Sequence, residues 1–193
     1  MHKIKLFLAS SNELKAERER FEINIYRKTK AWFPDKPFLH LDIWEDHSSK
    51  VADTRSQDKY NRLIKEETDL FILLVDSKVG MYSAEEFEVA FGAFQAKQKP
   101  YIYTYFKKRE EPGEPSLLAF QEKLKDLGHF FAIYQNSDDL WNQFNNELDR
   151  LEVEQFGAHS WGKVPPPNVH VDNRGATIKN QFNGGTFHNP TFK

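Results

Sequence analysis

Over residues 1–152 short, largely apolar runs alternate with stretches in which apolar residues recur at helical spacing. Ile4 to Ala9 is the first run, and Ser10-Ser11-Asn12-Glu13 follows it as a polar stop and a capping box for a helix over 13–30. Leu14, Phe21 and Ile25 form that helix's inward stripe, at spacings of seven and four. After Pro34 and Pro37, residues 38–44 alternate apolar and polar from Leu39 to Ile43, which predicts a strand near a sheet edge. Residues 45–52 have the composition of a loop, and a helix with Tyr60, Leu63 and Ile64 inward is expected from Asp53 or Thr54.

Leu70 to Val75 is an unbroken apolar run between Asp69 and Asp76, the signature of a central parallel strand buried on both faces. Residues 76–82 form its exit loop. Ser83 is expected to open a helix with Phe87, Ala90, Phe91 and Phe94 inward, and Pro100 to Phe106 makes a fourth strand. Residues 107–115 read as surface loop, 117–127 as an amphipathic helix capped by Gly128, and Phe130 to Tyr134 as a fifth strand. Ser137-Asp138-Asp139 caps a last helix ending near Leu151.

Five strands alternating with five helices predict an α/β fold. Right-handed crossovers then give a doubly wound parallel sheet, most simply in flavodoxin-like order. Ligands of such sheets sit at the carboxyl ends of the strands, so the loops at 10–12, 44–52 and 76–83 should converge on one crevice.

Past residue 152 the pattern stops. Residues 153–167 read as a linker containing the stiff Pro165-Pro166-Pro167 spacer, and 168–193 as an extended tail with five Asn and three of the chain's nine Gly. Phe182, Phe187 and Phe192 recur every five residues there, with Val169, Val171 and Ile178 before them. These residues are too apolar for a plain solvated linker, and three units cannot close a stack of their own. The tail is therefore expected to act as an oligomerisation element.

Composition narrows the function. With 27 Lys plus Arg against 29 Asp plus Glu, the net charge is −2, which argues against nucleic-acid binding through bulk positive charge. The absence of Cys removes thiol nucleophiles, disulfides and thiolate zinc sites. No apolar run approaches the roughly 20 residues of a membrane helix, and no signal segment opens the chain, so a soluble cytoplasmic protein is expected. The seven His show no metal-binding spacing, and Asp42, Glu45 and Asp46 lack a calcium-loop framework. Ser10-Ser11-Asn12 replaces the glycines of a dinucleotide fingerprint, and no Gly-x-Ser-x-Gly elbow exists.

The informative stretch is Val79 to Ala90, which sets a carboxylate in the first turn of a helix at the central strand's exit. Its plain reading is a capping box, with Ser83 and Glu86 satisfying the helix's first amides. Glu85 and Glu88 leave the apolar stripe and read as solvated.

A first strand ending Phe-Leu-Ala-Ser-Ser, a central Leu-Phe-Ile-Leu-Leu-Val, then an aromatic, a Ser and Glu-Phe-Glu-Val-Ala opening a helix resemble bacterial TIR-like domains. The pattern is also similar to the related nucleoside 2-deoxyribosyltransferases, and it covers roughly residues 3–150 but not the tail. The resemblance implies cleavage of an N-glycosidic bond to ribose. In TIR enzymes that bond joins nicotinamide and ribose in NAD, which is substrate, so no cofactor is implied. The matching catalytic carboxylate is Glu86, with Glu85 as the alternative one register away, and Tyr82 stands where many TIR domains carry Trp.

Such chemistry suits one carboxylate. Nicotinamide leaves as a neutral ring, and the barrier is positive charge developing on the ribose, which a fixed carboxylate offsets or traps covalently. Around it, Ser10, Ser11 and Ser83 are candidate hydrogen-bond donors to the ligand, and Trp44 and Tyr82 candidate stacking surfaces. Arg55 and Lys78 are candidate partners of the pyrophosphate. The leading expectation is a TIR-like NAD glycohydrolase of anti-phage immunity, activated by homo-oligomerisation. The alternatives are a nucleoside 2-deoxyribosyltransferase, against which Glu88 stands where that family carries a small Gly, and a non-enzymatic TIR-type adaptor.

Overall fold

The structure, a computed structural model, describes residues 3–43 and 56–151. Trp44, Arg55, the loop between them, the expected linker and the expected tail lie outside the described residues. Along the described chain β1 (Lys3–Ser10), α1 (Lys15–Trp32), β2 (Phe38–Asp42), α2 (Ser56–Glu66) and β3 (Leu70–Val75) come first. Then follow α3 (Met81–Lys97), β4 (Tyr101–Lys107), α4 (Pro115–Asp126), β5 (Ala132–Tyr134) and α5 (Ser137–Leu151). The strands form one parallel sheet in the order β2-β1-β3-β4-β5, the flavodoxin-like arrangement.

The run Leu70 to Val75 is unbroken because β3 sits mid-sheet and serves two cores at once. Leu70, Ile72 and Leu74 join the layer under α1 and α5, which holds Leu14, Phe21, Ile25, Leu140 and Phe144. Phe71, Leu73 and Val75 join the opposite layer, with Ile64 of α2, Phe87 and Ala90 of α3, and Leu117, Phe120 and Leu124 of α4. A strand's side chains alternate between faces, so a strand covered on both sides has no position left for a polar residue. β2 is an edge strand whose burial alternates, as the Leu39 to Ile43 pattern predicts. Among the described residues no helix is long and apolar enough to cross a membrane.

Several element starts differ from expectation. The capping box expected over Ser10-Ser11-Asn12-Glu13 does not form. Asn12–Leu14 makes a 3-10 turn, Ser11 makes no side-chain cap bond, and α1 begins at Lys15. Glu13 instead accepts hydrogen bonds from the Ser77 amide at 3.1 Å and the Ser77 hydroxyl at 2.8 Å. The exits of β1 and β3 are adjacent, with Ser10 in register with Leu74, so a donor 64 residues away outcompetes the local cap.

Similarly, α5 is capped by Asn136, whose Oδ1 accepts from the amides of Asp138 at 3.1 Å and Asp139 at 3.0 Å, and not by the Ser137 to Asp139 group. β5 is shorter than residues 130–134, pairing only with Tyr105 to Lys107 and leaving Phe130 95% exposed. Gly128 ends α4 in the left-handed region at φ 65°, as expected of a helix-stop glycine.

Candidate active site

Because β1 and β3 end level, their exit segments and the start of α3 enclose one cleft of about 570 Å3. Ser10, Ser11 and Asn12 line one wall and Gly80 to Ser83 with Glu86 another, over a floor of Phe7, Leu8 and Ala9. Gln57 and Tyr60 of α2 complete the enclosure. Two of the three expected loops therefore converge, and the third, 44–52, lies outside the described residues.

Helix α3 opens at Met81 with Gly80 as its cap residue, two positions before the expected start at Ser83, and without a side-chain cap bond. The Ala84 amide donates to the Gly80 carbonyl at 2.9 Å. Glu86 thus lies in the second turn, where backbone amides already have helical acceptors, and the capping-box reading of Ser83 and Glu86 is corrected. What remains is a carboxylate only 7% exposed that lines a cleft.

Its described hydrogen bond comes from Gln57 Nε2, which donates to Oε1 at 3.1 Å. Burial pushes the Glu86 carboxyl from 4.5 up to about 7; the Gln57 hydrogen bond opposes that rise, and the like charge of Glu85 adds to it. Glu85 is half-buried and accepts from Asn61 Nδ2 at 2.7 Å, so it is held by α2 and not solvated as expected. Glu88 is exposed and pairs with Lys123.

Of the other sequence candidates, Ser10, Ser11, Tyr82 and Ser83 all line the same cleft as Glu86. Ser83 is buried, and Tyr82 is 54% exposed at the rim, as a stacking residue must be. Lys78 is not part of the lining; its Nζ lies 3.8 Å from Glu114 Oε1. Trp44 and Arg55 lie outside the described residues.

Gln57, Tyr60 and Arg18 contribute besides the sequence candidates. Gln57 precedes Tyr60 by three and Ile64 by seven, on the predicted inward stripe of α2, so the signal was a polar residue at a core position. Tyr60, on the same stripe, packs on the core and is also cleft wall. Arg18 follows Leu14 by four and precedes Phe21 by three, again a polar residue on the inward stripe. It is fully buried, and its Nη1 donates to Ser10 Oγ at 2.6 Å and to the Ser11 carbonyl at 2.8 Å. A guanidinium thereby fixes the turn that forms one wall of the cleft.

Ion pairs close the exit of β4 beside the end of β3. Lys107 Nζ lies 2.6 Å from Glu17 and 3.8 Å from Asp76, which also pairs with Arg109. A second cavity, about 540 Å3, opens beside β4 and β5, but its lining carries none of the sequence candidates, and its carboxylate, Glu147, pairs with Arg150. Among the described residues no group of three His, Cys, Asp or Glu side chains is placed to hold a metal ion.

The Glu86 cleft therefore joins a buried carboxylate, three serine hydroxyls and two tyrosine rings. Such a set can offset positive charge on a ligand, hydrogen-bond hydroxyl or phosphoryl oxygens, and cover a flat ring. The chain matches no protein-family model and no curated protein.

Proposed function

We propose that the chain is a TIR-like NAD glycohydrolase in which Glu86 is the catalytic carboxylate. The observation that supports this reading is a nearly buried carboxylate in a cleft of about 570 Å3 at the carboxyl ends of β1 and β3. Cavities of that order suit a ligand of dinucleotide size partly enclosed.

NAD carries a positive charge on the nicotinamide ring, next to the ribose. As the bond from ribose C1′ to the ring nitrogen breaks, its electron pair passes to the ring, which leaves neutral, and the positive charge moves onto C1′ and the ring oxygen of ribose. Glu86 offsets that charge, or bonds to C1′ and is later displaced. Water then attacks C1′ and releases a proton, so the products are nicotinamide, ADP-ribose and H+. The burial that raises the Glu86 pKa also strengthens its attraction for the developing cation, because both effects follow from weak solvent screening.

On this reading Ser10, Ser11 and Ser83 hydrogen-bond the ribose and phosphates, and Tyr82 covers a ring. Assembly of several copies, through residues 168–193, raises activity, and NAD loss serves anti-phage defence in a bacterial cell.

Incubation of the purified protein with NAD and, separately, with deoxynucleosides tests the reading. Nicotinamide release that disappears in Glu86→Gln is the expected result. Base exchange on deoxynucleosides without NAD cleavage would establish the transferase alternative, and inertness toward both in the assembled protein would establish the adaptor.

A further inference from the structure

We propose that Gln57 is a positioning residue for Glu86: its side-chain amide pins Oε1, holds the carboxylate in its ionised form and leaves the second oxygen to the substrate. The inference rests on the reading of Glu86 as catalytic. Gln57 is 6% exposed, so it is as withdrawn from water as the residue it serves. The contact joins two helices through residues 29 apart in sequence, with Nε2 to Oε1 at 3.1 Å. A second rung, Asn61 Nδ2 to Glu85 Oε1 at 2.7 Å, fixes α2 against α3 on the same side, and Gln57 Nε2 also lies 3.4 Å from Asn61 Oδ1. Two amides of one helix thus hold two consecutive carboxylates of another. Since an amide N–H donates and a carboxylate accepts best when ionised, the arrangement favours the charged form.

Among the described residues, Gln57 is the neutral side chain whose donor reaches the Glu86 carboxylate. Glu85, on the same helix, adds like charge. The strands against which α3 packs contribute apolar side chains, among them Phe7, Ala9, Phe71 and Leu73. From α2 the half-buried titratable neighbour is Tyr60, which lines the cleft, whereas Asp58, Lys59 and Arg62 are exposed. Tyr82, from α3 itself, lines the cleft at its rim.

The test is a carboxyl-carbon NMR titration of Glu86, assigned by its loss in Glu86→Gln, in wild type and in Gln57→Met, which keeps the length of the side chain and removes the donor. The midpoint is expected to rise by about one to two pH units. The acid limb of kcat for NAD cleavage should rise with it while KM changes less than about threefold, since the substrate-binding oxygen and the cleft wall remain. Activity of Gln57→Met should recover toward wild type at high pH, where the carboxylate ionises unaided, whereas Glu86→Gln recovers at no pH. If Gln57→Met does not fold, Gln57→Leu is read in the same way, since it too removes the donor without adding a charge. A Glu86 midpoint unmoved in the variant that folds overturns the proposal. The titration reads Gln57 whether or not NAD is cleaved, so its failure is distinguishable from that of Glu86 as catalyst, which survival of cleavage in Glu86→Gln would overturn.

Discussion

Replacing Glu86 by Gln should make the protein more stable above neutral pH while destroying NAD cleavage. The amide has the shape of the carboxyl and keeps an acceptor for Gln57 Nε2, so the 3.1 Å hydrogen bond survives. What it removes is a charge that the fold must desolvate. Folding raises the carboxyl from 4.5 to about 7, so the folded state binds this proton more tightly than the unfolded chain. Stability from that difference is complete below about pH 4.5, is lost as pH rises to about 7, and the ionised carboxylate then carries a constant cost. At about 1.4 kcal/mol per tenfold change in proton affinity, the cost is about 3 kcal/mol. Glu86→Gln does not ionise and escapes it.

Urea or thermal denaturation across that range should therefore show near-equal stability at about pH 4.5, and an advantage for the variant near pH 8 corresponding to roughly 6–12 °C in Tm. Nicotinamide release should fall by on the order of 10²-fold or more, because an amide cannot offset full positive charge. In the wild type kcat/KM should rise about tenfold per pH unit up to about 7 as the free enzyme's carboxylate ionises. A stability difference independent of pH, or a variant less stable than wild type near pH 8, would refute the reasoning about burial. Wild-type cleavage in the variant would remove Glu86 from the mechanism.

Tyr134 is fully buried and its hydroxyl is the buried side-chain polar atom without a hydrogen-bond partner among the described residues. Tyr134→Phe should consequently raise stability by about 1–2 kcal/mol in urea denaturation, and a loss of that size would mean the hydroxyl has a role. Ser83→Ala should change stability by no more than about 0.5 kcal/mol, since Ser83 is not a cap, while raising KM for NAD; a loss near 1 kcal/mol would restore the capping assignment. Deletion of residues 165–193 should leave a folded, more monomeric domain with reduced specific activity, and unchanged oligomer size by light scattering would rule out the tail as an assembly element. Activity of the intact chain should rise steeply with protein concentration, so a constant specific activity over a wide range would exclude activation by assembly.

The alternation of strands and helices was legible because it depends on side-chain periodicity, which the chain carries locally. The unbroken run Leu70 to Val75 predicts a strand covered on both faces and the alternation Leu39 to Ile43 one near an edge, and the sheet has both. Residues Leu14, Phe21, Ile25, Ile64 and Phe87 all reached the core they were assigned. The sequence also put Ser10, Ser11, Tyr82, Ser83 and Glu86 in segments that must meet at the carboxyl end of a parallel sheet, and they line one cleft. Tertiary structure decided how each polar group is used. Glu13 and Glu86 both have local capping signatures, yet Glu13 bonds Ser77, which sheet register brings beside it, and Glu86 bonds Gln57, because α3 starts two residues early and its packing against α2 supplies that donor. Arg18 and Gln57 sit on apolar stripes where periodicity alone ranks them as misfits. Whether a buried polar residue is a misfit or a support depends on a partner elsewhere in the chain, eight residues away for Arg18 and 29 for Gln57. Periodicity decides which face a residue occupies; the neighbour it meets there, and hence its ionisation, is set only when distant segments pack.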